Sequence, residues 1–245
     1  AVDWATVAAL LAVPAFVVAA ITARVDVGHR QTGHTGGLGE LILTGQRLFA
    51  GSFAIVFLIV ICSGLYYRGV LTFLPEVLAS SSLIDDVSVP STTEFGPARF
   101  VYAGLLFVGV IGQYLGGRLT DMLPVERGLQ IAFGSMVLIA LGFHGALEAG
   151  GGWVILAGGL LGLILFFIQP LTQATVAEYT PQSARGISYG FSYLGVFGVG
   201  AAGGLLAGVV LTSASAGVLF MILALLAATG FLIAAILGAT GVRPA

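Results

Sequence analysis

Residues 112–128 read GQYLGGRLTDMLPVERG, and they gather Arg118, Asp121, Glu126 and Arg127 between two long apolar runs. The rest of the chain avoids charge: of 245 residues, 9 are Lys or Arg and 11 are Asp or Glu, while 58% are hydrophobic. A soluble domain carries charge on roughly a quarter of its residues. With 8% charged residues and a mean hydropathy of +1.08, this chain turns its outer surface to hydrocarbon, and the quoted stretch is a connection between membrane-spanning helices. The bilayer is therefore its first partner. With its outer surface turned to hydrocarbon, the net charge of -2 is uninformative about nucleic acid or acidic partners, and no nucleic-acid partner is expected. Cys62 is the lone cysteine and lies in an apolar run, so a disulfide within the chain is excluded.

Working outward from that connection, a window of about 19 residues finds spans at 5–23, 48–78, 99–117, 129–147, 153–177, 187–211 and 216–239. The second is too long for one perpendicular crossing and is expected to bend at Gly64, Gly69 or Pro75. Residues 24–47 are polar and glycine-rich, with Gly33, Gly36, Gly37 and Gly39, and read as a flexible loop. His29 and His34 within it have no Cys and few carboxylates nearby, so no metal and no cofactor is expected.

Basic residues orient the spans, because short cytoplasmic connections hold the excess of positive charge. Arg24, Arg30 and Arg47 fall in one connection, Arg118 and Arg127 in another, Arg185 in a third and Arg243 in the tail. The alternate connections hold Asp85, Asp86, Glu94 and Glu148, with Arg99 as the exception. The C-terminus is thus expected to be cytoplasmic, in a multi-pass protein of the cell membrane, and the first residue outside. Seven spans in this orientation match the retinal proteins, but their Schiff base needs a lysine and this sequence has none. The opening AVDWATVAALL has neither an initial Met nor a basic region ahead of a cleavable signal. The expectation is that an odd number of earlier spans is missing.

Polar residues are unevenly shared among the spans. The second, third, fifth and sixth contain Tyr66, Tyr67 and Arg68; Gln113 and Tyr114; Gln169 and Gln173; and Tyr189, Ser192 and Tyr193. The first, fourth and seventh are almost wholly apolar, apart from Ser135, His144 and Thr229. This period suggests three-helix units in which two helices border a polar interior and the third supports them from the lipid side. No His and carboxylate constellation lies within the spans and no nucleotide loop is present, so an enzyme is not expected. A scaffold or sensor that transports nothing is the alternative.

Gly117-Arg118-Leu119-Thr120-Asp121 resembles the G-x-L-x-D loop motif of the major facilitator superfamily, which joins the second and third helices of each six-helix half. The family form continues with basic residues and a glycine, whereas Met122, Leu123, Pro124, Val125 and Glu126 precede Arg127 here. VAEYTPQSARGISYG, Val176–Gly190, resembles the connection after the fourth helix of the second half, and LYYRGVLTFLPEVL, Leu65–Leu78, its first helix. The resemblance implies helices six to twelve of a twelve-helix secondary transporter. Residues 1–23 would be helix six, 24–47 the central cytoplasmic loop, and 48–245 the C-terminal half, with the N-terminal half as missing partner. It further implies an all-α bundle that carries small solutes by alternating access and is inactive as a fragment.

Within that frame the residues take expected roles. Gly116 and Gly117 permit close helix approach, Asp121 accepts hydrogen bonds from Arg or from helix amides, and Arg127, Glu178 and Arg185 extend the same gating network. Arg68 lies about 30 Å from the cytoplasmic end if its helix starts at 48. It then either snorkels in an interfacial aromatic belt with Tyr66 and Tyr67, or is buried and needs an acidic partner, a carbonyl or an anionic substrate. Tyr67, Gln113, Gln169, Gln173 and Tyr193 are the other candidate substrate contacts, although glutamines also serve as polar glue between helices. Gly200, Gly204 and Gly208 form a packing stripe. Glu76 is the candidate for a coupling proton or ion.

Overall fold

The computed structural model describes residues 4–24, 37–79, 97–150 and 152–240. The loop histidines His29 and His34, the acidic residues Asp85, Asp86 and Glu94, and Arg243 lie outside them. Every regular element among the described residues is helical.

Two units make up the chain, residues 1–40 and 41–245. The first contains α1, Trp4–Thr22, an apolar helix long enough to cross hydrocarbon despite Pro14 in its interior. α2, Leu38–Phe49, begins in that unit and runs into the second. The second unit continues with α3 (Phe53–Ala79), α4 (Pro97–Met122), α5 (Val125–Ala149) and α6 (Gly152–Glu178). A single 3-10 turn, Gln182–Ala184, leads into α7 (Arg185–Tyr193), a π-helical segment (Leu194–Val199) and α8 (Ala201–Ser213), which form one span; α9 (Ala216–Thr240) closes the bundle.

Two boundaries differ from the sequence expectation. The long span beginning at 48 is two helices, separated at Ala50, Gly51 and Ser52, and α3 runs on unbroken through Gly64, Gly69 and Pro75. Gly64 and Gly69 are spent on packing instead: a methyl at Gly64 would sit 2.8 Å from the Val196 Cα, and one at Gly69 3.0 Å from the Leu223 side chain. The second half of the expected loop 24–47 is α2, whose Leu48 is buried and whose Phe49 ring meets Phe53, Phe57 and Phe191 edge-on. Leu48 and Phe49 anchor the last turn of α2 in this way, while Leu41, Ile42 and Leu43 stay exposed.

The contacts within the second unit have an internal symmetry. α4 packs on α6 as α8 packs on α3; α5 packs on α6 as α9 packs on α3; α4 meets α5 as α8 meets α9; and α3 meets α4 as α6 meets α7. α5 with α9, and α3 with α6, pair across the axis. Exchanging α3–α5 with α6–α9 therefore preserves which helices touch, the pattern expected of two three-helix repeats.

Hydrocarbon leaves helices few ways to attract one another, so close backbone approach does most of the joining. Between α4 and α6, a methyl at Gly112 would collide with the Leu163 carbonyl oxygen, one at Gly116 with that of Phe167, and one at Gly162 with that of Leu105. Between α3 and the sixth span, Gly203 lies against the Leu65 carbonyl and Gly200 against Gly64, while Gly204 and Gly208 touch Thr72 and Phe73. The glycine stripe thus does pack, and Gly203 beside it makes the closest approach to α3. α5 and α9 interlock through large side chains: Phe143 stacks on Phe220 at 4.1 Å, and Phe133 fills the space beside Gly230.

Hydroxyl groups inside the spans are largely consumed by their own helices. Thr72, Thr172, Thr175, Ser188, Ser192 and Thr229 each donate to the carbonyl four residues back. Ser192 is buried in this way, which removes it from the polar interior expected of the sixth span.

Candidate functional site

Arg68 stands near the midpoint of α3 and is half-buried. It stands 15 residues after Phe53 and 11 before Ala79, roughly 22 Å and roughly 17 Å from the two ends of α3. The expected depth was measured from residue 48 and placed it too far out, because the break at 50–52 had not been counted. Three consecutive side chains of α3 reach three different neighbours. Tyr66 is fully buried and donates its hydroxyl to the Met136 carbonyl of α5 at 3.3 Å. Tyr67 sets its ring edge-on to Phe166 of α6 at 6.0 Å. The guanidinium of Arg68 lies over the ring of Phe197, with Cζ 5.3 Å from the centroid. An interfacial aromatic belt is excluded by this arrangement: both tyrosines point into the bundle.

Phe197 belongs to the π-helical segment and is itself stacked on Tyr193, one turn earlier, at 6.0 Å. Arg68, Phe197 and Tyr193 form a continuous column in which the tyrosine is exposed and the arginine half-buried. Among the described residues Arg68 has no ion pair, and its buried Nε has no hydrogen-bond partner. The other buried polar atom in that condition is the Thr180 hydroxyl, which is uncharged and lies just beyond α6.

The remaining candidates fall elsewhere. Gln113, exposed on α4, shares a groove with Tyr114, Gly117, Arg118, Asp121 and Met122, so it joins the expected gating residues and not Arg68. Gln169 and Gln173 stand one turn apart on α6, both half-buried, and the Gln173 carbonyl accepts the Tyr189 hydroxyl at 3.3 Å.

The loop motif proves to be helix. α4 continues to Met122, so Gly117 through Asp121 form its last turns and only Leu123 and Pro124 connect it to α5. Pro124 has no amide hydrogen and caps α5 without disturbing it. Gly116 makes the close approach expected of it, but a methyl at Gly117 would meet open space, and its carbonyl instead accepts the Thr120 hydroxyl at 2.6 Å. Asp121 is exposed and has no ion pair among the described residues; Arg118 donates to the Tyr114 hydroxyl at 3.4 Å. Arg185 donates to the Ala177 carbonyl at 3.2 Å, closing the end of α6 where the helix dipole favours a cation. Arg127 is exposed on the first turn of α5, and Glu178 half-buried at the end of α6.

Sequence reasoning missed Glu126 and Phe197. Glu126 is buried, 6% exposed, and accepts a hydrogen bond from the Tyr179 hydroxyl, joining the start of α5 to the end of α6. Its signal was periodicity: Glu126, Leu129, Phe133, Met136 and Ala140 share the buried face. Phe197 lay hidden in the glycine-rich run 195–204, one π turn after Tyr193.

No family model and no curated protein sequence matches this chain. Solved structures do. The POT family transporter PepTSo, crystallised in meso, is 15% identical with a TM-score of 0.61, over 79% of this chain and 38% of that one. An auto-inhibited POT family peptide transporter is 17% identical with a TM-score of 0.64, again over 79% of this chain and 38% of the other. The chain thus spans well under half the length of these transporters, and at such identities the common property is the fold. Sequence composition, the repeated three-helix packing and these likenesses agree on an all-helical, multi-pass membrane bundle whose fold is like that of these two transporters.

Proposed function

We propose that this chain is the C-terminal portion of a secondary transporter that moves small solutes by alternating access, with 48–245 as one half and a further N-terminal half as its partner. The observation that carries the reading is the polar strip on α4. Gln113 and Tyr114 are exposed inside the part of α4 that crosses hydrocarbon, where lipid is a costly neighbour for an amide, and Arg118 and Asp121 continue the strip to the end of the helix. A water-filled path or another protein half satisfies them. α4 and the sixth span are also the least covered of the six helices, each with 22% of its most apolar window buried, against 50% for α3 and 44% for α6. Those are the helices on which a second half would close.

In this reading the motif end of α4 is cytoplasmic, the protein sits in the cell membrane, and Gly117, Asp121, Arg127, Glu178 and Arg185 hold one of the two access states. Arg68, Tyr67, Gln113, Gln169, Gln173 and Tyr193 line the solute path. Peptides, the cargo named for one of the similar structures, head the candidate solutes. If transport is driven by protons, Glu76, exposed three residues from the end of α3, is the carboxylate to examine.

Uptake by proteoliposomes containing the complete protein, compared with empty vesicles, tests transport itself. Cysteine accessibility from the two sides tests the gate: Asp121→Asn is expected to shift labelling toward the cytoplasmic side, since a residue that bonds in one state only biases the equilibrium when removed. Unchanged labelling removes Asp121 from the gate.

A further inference from the structure

We propose that Arg68 and Phe197 form an oxyanion-binding subsite, so that the solute carries a carboxylate or phosphate group. The inference rests on the transport reading and adds the chemical class of the cargo. A charged group at this depth needs a counter-charge or hydrogen-bond acceptors, since hydrocarbon supplies neither. The described residues provide a ring instead. Phe197 lies over the guanidinium with 5.3 Å between Cζ and the ring centroid, Arg68 has no ion pair among the described residues, and its buried Nε has no acceptor there.

The geometry assigns a use to each part. A guanidinium placed over a ring can keep its in-plane N–H groups for a ligand, as the unpartnered Nε shows here, and these groups bind a carboxylate or phosphate through two parallel hydrogen bonds. Phe197 is therefore a positioning residue: it fixes the plane and so aims the fork. Its own place depends on the π turn at Leu194–Val199, since π segments interrupt the regular α-helical register. Gly64 and Gly200 bring α3 and the sixth span close enough for ring and guanidinium to meet. Tyr193, exposed and stacked on Phe197 with ring centroids 6.0 Å apart, adds a second ring to the same surface.

The test uses the complete transporter in nanodiscs and in proteoliposomes. In nanodiscs, modification of Arg68 by phenylglyoxal is followed by mass spectrometry with acetate, succinate, a dipeptide, inorganic phosphate, or the amides of the acids at matched ionic strength. At least one oxyanion is expected to slow labelling about fivefold or more relative to its uncharged counterpart or to chloride. Equal labelling throughout overturns the subsite, and so does an Arg68 that resists labelling without any added anion, because a protein carboxylate then holds it. In proteoliposomes carrying the same solutes plus neutral sugars and amines, Arg68→Lys is expected to cut oxyanion uptake tenfold or more while keeping the charge. Phe197→Leu is expected to raise KM severalfold at nearly constant maximal rate, with Phe197→Tyr restoring it. Uptake confined to neutral or cationic solutes, and indifferent to Arg68→Gln, overturns the subsite while leaving the transporter standing. Vesicles that take up nothing, with Arg68 still protected in nanodiscs, support the subsite and strike at the transport reading alone.

Discussion

The seam between α4 and α6 and the seam between α3 and the sixth span occupy corresponding places in the repeat, yet only one of them contains a π turn. In the first, Gly112 and Gly116 press against the Leu163 and Phe167 carbonyls, one turn apart on α6, and the helix stays α-helical past Pro170. In the second, Gly64 and Gly203 make equally close backbone contact, but a π turn interrupts the helix and an arginine stands beside it. Glycine seams give both pairs their proximity, and the irregularity adds chemistry to one of them. Departures from regular helix concentrate at working sites because a regular helix packs with less strain.

The hardest blow to this pairing is expected from Gly116→Leu or Gly112→Leu. With a backbone carbonyl in the way and no flexible side chain to yield, either change is expected to cost about 3 kcal/mol or more, seen as loss of monodisperse protein after detergent extraction and heating. Survival of both variants would mean that the α4–α6 seam opens far more readily than its geometry allows. Gly203→Ala asks whether the corresponding seam is equally rigid: about 1–3 kcal/mol is expected, close to the value for Gly112→Ala, and a negligible cost would mark the π-turn seam as the softer one. Glu126→Ala, which leaves the buried Tyr179 hydroxyl without this acceptor, is expected to cost about 2 kcal/mol, and Tyr179→Phe less than Glu126→Ala in the same thermal assay. Tyr66→Phe deletes one 3.3 Å bond to Met136 and is expected to cost about 0.5–1 kcal/mol. Gly117→Ala, facing open space, is expected to stay within about 0.5 kcal/mol of the parent and serves as the control for all the glycine changes.

Much of the architecture was legible because hydrocarbon imposes simple rules. Spans 129–147, 153–177 and 216–239 match α5, α6 and α9 to within a few residues, since uninterrupted apolar length is itself the signal. The signal fails at ends, where polarity returns before the helix stops: Gly117 to Asp121 looked like loop because of its charges, but exposed charges are welcome on a last helical turn outside the hydrocarbon. Residues 38–49 failed for the opposite reason, their apolar stripe being diluted by polar neighbours in a wide window. Arg68 could be singled out by charge alone. Its neighbour Phe197 could not, because a phenylalanine among sixteen in an apolar chain carries no distinguishing mark until the fold brings it over a guanidinium.

Leu123 and Pro124, the whole of the connection between α4 and α5, act as a stiff elbow. If α4 swings at that end, as the transport reading requires, the movement would pass directly to α5 with hardly any slack chain to absorb it, and through Glu126 and Tyr179 to the foot of α6.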